Sequence, residues 1–331
     1  MLIVADSAIP YLDGLFEPFA DVVRLDGGKI GPADVRHADA LIVRTRTRCD
    51  AGLLSGSRVK LIATATIGFD HIDTLYCRRR GIAVATAAGC NAGGVLQWVA
   101  AALVELLARR GAEPGQLTLG VVGAGNVGSL VQRHAEVWGF RVLCCDPPRQ
   151  MRGQEGFVPL ERIVAESDII TLHVPLDSTT RHMADSRFFR SLRPGCMLLN
   201  SSRGEVVDTA ALTAAGLDCA IDVWENEPLI DRRLLAQAVV ATPHIAGYSA
   251  QGKANATAAA VRAVASHFTL PVQFRHPAGT EPVVRRPIGW QELCASIGSR
   301  FDIAAQTRQL KSHPEQFEHM RDSYLYRQEY F

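Results

Sequence analysis

The 331 residues carry 35 lysines and arginines against 34 acids, a net charge of +1, and are 47% hydrophobic and 21% charged. With no basic block, nucleic acid is not expected as a partner. Eight scattered cysteines with no zinc-like spacing predict no metal site. The N-terminus has no basic start followed by an apolar stretch, so the chain reads as reduced and cytoplasmic. A length beyond roughly 250–300 residues predicts two domains rather than one core.

From Met1 to about Thr86 short apolar runs recur at Leu2–Ala5, Val22–Leu25, Ala40–Val43, Leu61–Thr64 and Ile82–Ala85. Helical or loop segments separate them, which predicts a parallel α/β half-domain. Two loops follow strand ends, where such sheets place ligands: Arg44-Thr45-Arg46-Thr47-Arg48 and Thr64 to Asp70. Arg44 and Arg46 could grip an anionic group, although a solvated charged loop is the commoner fate of such a run. Next, Asn91 is a candidate cap for a helix from Val95 to about Arg110. That helix contains Gln97 and Glu105 and reads as too short and polar to span a bilayer.

The run Leu117–Val122 predicts a buried strand that stops at a glycine turn, after which helical spacing begins at Val127, Leu130, Val131 and Trp138. Gly123, Gly125 and Gly128, around Asn126 and Val127, make the G-x-G-x-x-G spacing. It permits a tight turn, a close approach of backbone to a pyrophosphate and helix-on-strand packing. Free N–H groups at the helix start would face the phosphates. The next strand, Arg141–Cys145, ends in Asp146, where an acid can hold a ribose diol. That acid also repels a 2′-phosphate, which favours NAD over NADP. Cys144 and Cys145 read as inert packing residues.

Further strands are predicted at Ile169–Val174, Cys196–Asn200, Cys219–Val223 and Val239–Thr242. The helices between them are predicted near Leu160–Glu166, Ser186–Leu192, Thr209–Gly216 and Asp231–Ala236. With the two fingerprint strands the sheet would have six strands, a full dinucleotide-binding count. A long alanine-rich helix, about Ser249 to Phe268, should return to the first half-domain. Pro271 to Pro287 reads as a linker. Beyond it Leu293, Ile297, Phe301 and Ala304 are expected to share one helical face. Pro314 is expected to open a second helix bearing Phe317, Met320 and Tyr324. Forty residues cannot bury a core alone, which predicts packing on the chain itself or on a partner, with a homodimer favoured.

Arg203, Glu227 and His244 each follow a predicted strand of the second sheet, so all three can converge at one sheet edge. Oxidation of a hydroxy acid needs these three types. Histidine takes the hydroxyl proton, a carboxylate fixes its tautomer, and an arginine fork holds the substrate carboxylate.

The order of fingerprint, Asn200-Ser201-Ser202-Arg203-Gly204, Asp222-Val223-Trp224-Glu225-Asn226-Glu227-Pro228 and Thr242-Pro243-His244 resembles the D-2-hydroxyacid dehydrogenases. The likeness covers residues 1 to about 270 well and the tail more loosely. It implies an α/β fold of two doubly wound parallel sheets, a Rossmann-type NAD domain inserted in a flavodoxin-like substrate domain, and a small C-terminal dimerisation segment. The expected bounds are 1–92 and 247–280 for the substrate domain and linker, 93–246 for the NAD domain and 281–331 for the tail.

Stretches such as 65–73, 89–92, 145–149 and 243–253 look like the branch that oxidises 4-phospho-D-erythronate with NAD, in pyridoxal phosphate biosynthesis. By that resemblance Arg203 and Glu227 are active-site residues and His244 is the proton donor or acceptor. Thr45, Thr66 and Tyr248 match substrate positions. Asp146, Val174, Ser201, Ser202, Arg203, Asp222 and Gly247 match cofactor positions. Thr45 replaces a usual serine and keeps its hydroxyl, whereas Val174 replaces a frequent threonine and leaves only apolar or backbone contact. The alternatives are a relative acting on 3-phosphoglycerate, glyoxylate or hydroxypyruvate, and a non-catalytic NAD-sensing protein on the same fold.

Overall fold

In a computed structural model, which describes residues 1–283 and 286–331, the short apolar runs form two separate all-parallel sheets. The chain divides into two units. One comprises Met1–Asn91 and Ser249–Val283; the other comprises Ala92–Tyr248 and the described residues from 286 to 331.

In the first unit, β1 (Leu2–Asp6), β2 (Asp21–Leu25), β3 (Ala40–Val43), β4 (Leu61–Thr64) and β5 (Ala83–Thr86) run in the order β2-β1-β3-β4-β5. This is the flavodoxin-like arrangement. Every residue of β3 and β4 is buried, as expected of central strands covered on both faces. The helix Ala250–Phe268 supplies Ala260, Val261 and Val264 to that core. Ser249 caps it by accepting the Gly252 N–H.

In the second unit β6 (Thr118–Val122), β7 (Arg141–Cys145), β8 (Ile169–Leu172), β9 (Met197–Asn200), β10 (Cys219–Ile221) and β11 (Val240–Ala241) are ordered β11-β10-β9-β8-β6-β7. Beyond the edge strand, Phe157 makes an isolated parallel bridge to Cys144 of β7. The chain reverses direction of travel across the sheet between β6 and β8. Folds of this kind bind their ligands at the strand ends beside such a switch point. Cys144 and Cys145 are buried, and burial pushes their thiols up to about 12 and about 11, so both stay protonated packing groups.

Several of these expectations are corrected. The long helix begins at Ala92 and runs 19 residues to Arg110, which is long and apolar enough to cross a membrane. Yet 78% of its apolar window is buried inside the protein, as in a core helix. Asn91 does not cap it, since its Oδ1 is buried without a hydrogen-bond partner. In the tail, the helix Trp290–Arg300 stops at Phe301. Asp302 then caps a new helix, Ile303–Ser312, by accepting the Ala305 N–H, so Leu293 and Ala304 lie on different helices. After a 3₁₀ turn at Pro314–Gln316 the last helix is only Phe317–Asp322, and Tyr324 lies beyond it.

The tail packs on its own chain, where Leu293, Ile297, Phe301, Ile303 and Phe331 join the core that holds Trp138 and Phe140. Burying one such side chain stabilises by about 1.5–3 kcal/mol. Of the expected linker, Val284 and Arg285 lie outside the described residues, and its described residues form neither helix nor strand.

Candidate active site

β6 delivers the chain into the glycine turn at Gly123, whose φ of +89° a side chain would strain. A Cβ there would also stand 2.6 Å from the His173 carbonyl oxygen and 3.0 Å from Val174 Cγ1. At Gly125 an added Cβ would meet nothing within 4 Å, which leaves the backbone open to approach. At Gly128 it would collide with the Gly123 carbonyl, so the helix Gly128–Trp138 starts pressed against the turn. Val127 precedes that helix and provides no side-chain cap, while Asn126 is exposed.

Asp146 spends both oxygens on backbone. Oδ2 accepts the Ala124 N–H at 2.8 Å and Oδ1 the Arg149 N–H at 3.0 Å, tying the turn to the end of β7. The Ser201 Oγ is buried with no hydrogen-bond partner, whereas Ser202 donates to Asn200 Oδ1 at 2.8 Å. An open glycine, an uncapped helix start and an orphaned buried hydroxyl, all on loops after parallel strands, fit a dinucleotide. Among the described residues no group of three or more His, Cys, Asp or Glu side chains is placed to hold a metal.

The three residues singled out for chemistry lie together at the ends of β9, β10 and β11. His244 Nδ1 is 2.8 Å from Glu227 Oε2, which places the ring proton on Nδ1 and leaves Nε2 as the acceptor. Glu227 Oε1 accepts the Trp224 N–H at 2.9 Å, which holds the carboxylate from its other oxygen. Arg203 Nη1 donates to the Ser202 carbonyl at 2.7 Å. Gly204 lets this loop lie directly on Trp224 and Glu225, whose backbone an added Cβ would strike.

His244 has φ +58°, a left-handed conformation that histidine adopts more readily than most residues. Asp222 holds it there. This carboxylate, 1% exposed, accepts the Thr242 hydroxyl at 2.6 Å and the Ile245 and Ala246 N–H groups at 2.8 and 2.9 Å. Its three bonds all serve the His244 loop. Burial raises the Asp222 carboxyl against the pull of His244 and these donors.

Burial works to lower the His244 pKa, but the Glu227 carboxylate, with Asp222 behind it, overrides burial and the opposing Arg203 charge and raises it. Burial likewise opposes ionisation of Glu227. His244, the Trp224 N–H and Arg321 outweigh it and hold the carboxyl below its usual range. The arrangement is an oriented, basic imidazole with half-open access, its side chain 37% exposed.

The residues expected to meet substrate divide between the units. In the first unit Thr45 and Arg46 are exposed, and Arg44 is half-buried and donates to the Ala8 carbonyl at 3.3 Å. Thr66 donates to the Gly68 carbonyl at 2.8 Å and lies 2.6 Å from the Thr64 hydroxyl. In the second unit Gly247 and Tyr248 follow directly on the His244 turn, and the Tyr248 ring packs edge-on against Tyr324 and Tyr326. Sequence reasoning missed three residues. His173, which burial pushes down to about 3, stays neutral beside the glycine turn. The others are the tail arginines Arg321 and Arg327, for which no motif gave a signal.

Residues 91–246 match the model of the D-isomer specific 2-hydroxyacid dehydrogenase NAD binding domain. Over 99% of its length the chain is 45% identical to the erythronate-4-phosphate dehydrogenase of Bacteroides fragilis, covering 97% of that protein. The chain belongs to the D-isomer specific 2-hydroxyacid dehydrogenase family. A second relative, the erythronate-4-phosphate dehydrogenase of Ectopseudomonas mendocina, is 46% identical over 82% of this chain and 74% of its own. Among solved structures, the NAD⁺-bound 3-phosphoglycerate dehydrogenase of Entamoeba histolytica superposes with a TM-score of 0.70 at 27% identity. It covers 83% of this chain and 98% of that one. This family member is an NAD-binding oxidoreductase with the α/β architecture described above.

Proposed function

We propose that the protein oxidises 4-phospho-D-erythronate to 2-oxo-3-hydroxy-4-phosphobutanoate with NAD, a step of pyridoxal 5′-phosphate biosynthesis. The observation that carries the chemistry is the 2.8 Å bond between His244 and Glu227, at the strand ends shared with Arg203 and the glycine turn. The choice of substrate rests on relatives of that name at about 45% identity along nearly the whole chain. Bound NAD supplies the hydride acceptor; the chain supplies the rest.

His244 Nε2 accepts the proton of the 2-hydroxyl as the carbon gives up its hydride, and Glu227 compensates the positive ring through Nδ1. Arg203 holds the substrate carboxylate and orients the reacting carbon. Gly123, Gly125, Asn126, Val127 and Gly128 would hold the pyrophosphate and Asp146 the adenosine ribose. Val174, Ser201, Ser202, Asp222 and Gly247 would flank the remainder of the cofactor. Thr45, Thr66 and Tyr248 are assigned to the substrate, with Arg44 and Arg46 neutralising its phosphate. We further read the protein as a cytoplasmic homodimer. All eight cysteines are free and six are buried, in keeping with a reducing compartment, and the tail exposes Leu325 and Tyr326.

One assay tests the assignment: rates with 4-phosphoerythronate, 3-phosphoglycerate and glycerate, each with NAD. The first should be preferred; preference for either other acid would move the protein to a sister activity. His244→Ala should slow turnover by about 10²–10⁴-fold while NAD still binds. A near-normal rate would mean the base lies elsewhere. Arg44→Ala and Arg46→Ala should raise KM for the phosphorylated acid selectively, and unchanged values would remove both from the phosphate.

A further inference from the structure

The tail reaches the acid–base pair through Arg321. Its Nη1 lies 3.7 Å from Glu227 Oε2, the same oxygen that accepts from His244. The Arg321 side chain is 23% exposed, and its guanidinium lies over the Phe317 ring at 6.0 Å, with Glu318 and Asp322 also within ion-pair distance. Six residues on, Arg327 is buried 4.2 Å from the centre of the Phe301 ring. It donates to the carbonyls of Ile245, Ala246 and Tyr248, and to that of Gly94 at 2.7 Å. The segment carrying Arg321 is thereby pinned to the turn carrying His244.

We propose that Arg321 is a positioning residue for the proton relay, set against Glu227 by a C-terminal segment that Arg327 anchors to the His244 turn. The inference rests on His244 being the base. Glu227 faces His244, Arg321 and the Trp224 N–H; His244 faces Glu227, Asp222 and Arg203. In this set Arg321 keeps Glu227 ionised and in place, and its charge opposes protonation of the imidazole. Without it the ring holds its proton to higher pH.

The test is the pH profile of kcat/KM for 4-phosphoerythronate oxidation by the full chain, together with an NMR titration of the His244 ring without substrate. Arg321→Gln, and Arg321→Met to retain packing over Phe317, should move both midpoints up by about 0.2–0.7 pH unit. That is the range an ion pair of this exposure supports. Arg321→Lys, which keeps the positive charge, should return both midpoints most of the way to those of the unaltered protein. A merely structural arginine would change rate or stability and leave both midpoints in place, and that result would overturn the proposal. If the unaltered protein does not oxidise 4-phosphoerythronate, the functional reading fails, and the ring titration still decides the role of Arg321.

Discussion

The His244–Glu227 bond has a pH signature. A base works when neutral, and Glu227 raises the His244 pKa above its ordinary 6.5 despite burial. Oxidation should therefore rise with pH along a limb centred above 6.5. Glu227→Gln removes the raising charge, so the limb should move to lower pH while its plateau falls. A limb that stays put would show that another group controls it. The same sign governs stability: the paired imidazolium stabilises below the ordinary pKa, and the contribution fades as pH climbs through the raised one. His244, Glu227 and Arg203 were legible in the sequence because each sits in a motif after a strand. Arg321 was not, because an arginine flanked by Glu318 and Asp322 reads as one more solvated helix face.

At the scale of elements, strand runs were easy to read wherever burial on both faces left an unbroken apolar stretch, as in β3, β4 and β6. The tail was harder. Leu293, Ile297, Phe301 and Ala304 keep helical spacing, but Asp302 restarts the helix by capping, and spacing alone does not reveal a competing cap. The glycine turn makes a sharper claim. Gly128 has backbone where a methyl would go, so Gly128→Ala should cost about 1–3 kcal/mol and weaken NAD binding with it. Denaturant unfolding and a NAD fluorescence titration would measure both. Unaltered values would show that the turn relaxes freely and that the spacing is incidental.

For the whole molecule, the two-sheet division could be read from the alternation of strand and helix, and the return of the chain after Ser249 from one long alanine-rich helix. The anchorage of the tail could not. It depends on Phe331 and Arg327 finding partners far away in sequence, such as Trp138 and Ile245. What remains exposed there, Leu325 at 89% and Tyr326 at 42%, is apolar surface that a second copy could cover. Sedimentation equilibrium should return twice the 35.9 kDa chain mass, and Leu325→Asp should shift the population toward the single chain. A monomer at micromolar concentration would dispose of the dimer.

The left-handed turn at His244 means that main chain, together with the Glu227 bond, aims the imidazole. Asp222 clasps the two amides that follow His244, and the His244 N–H itself donates to the Asp222 carbonyl at 2.8 Å. The base thus comes pre-sighted, before any ligand arrives. Retuning such a protein for a different hydroxy acid would leave this corner alone and work on the residues that grip the far end of the molecule.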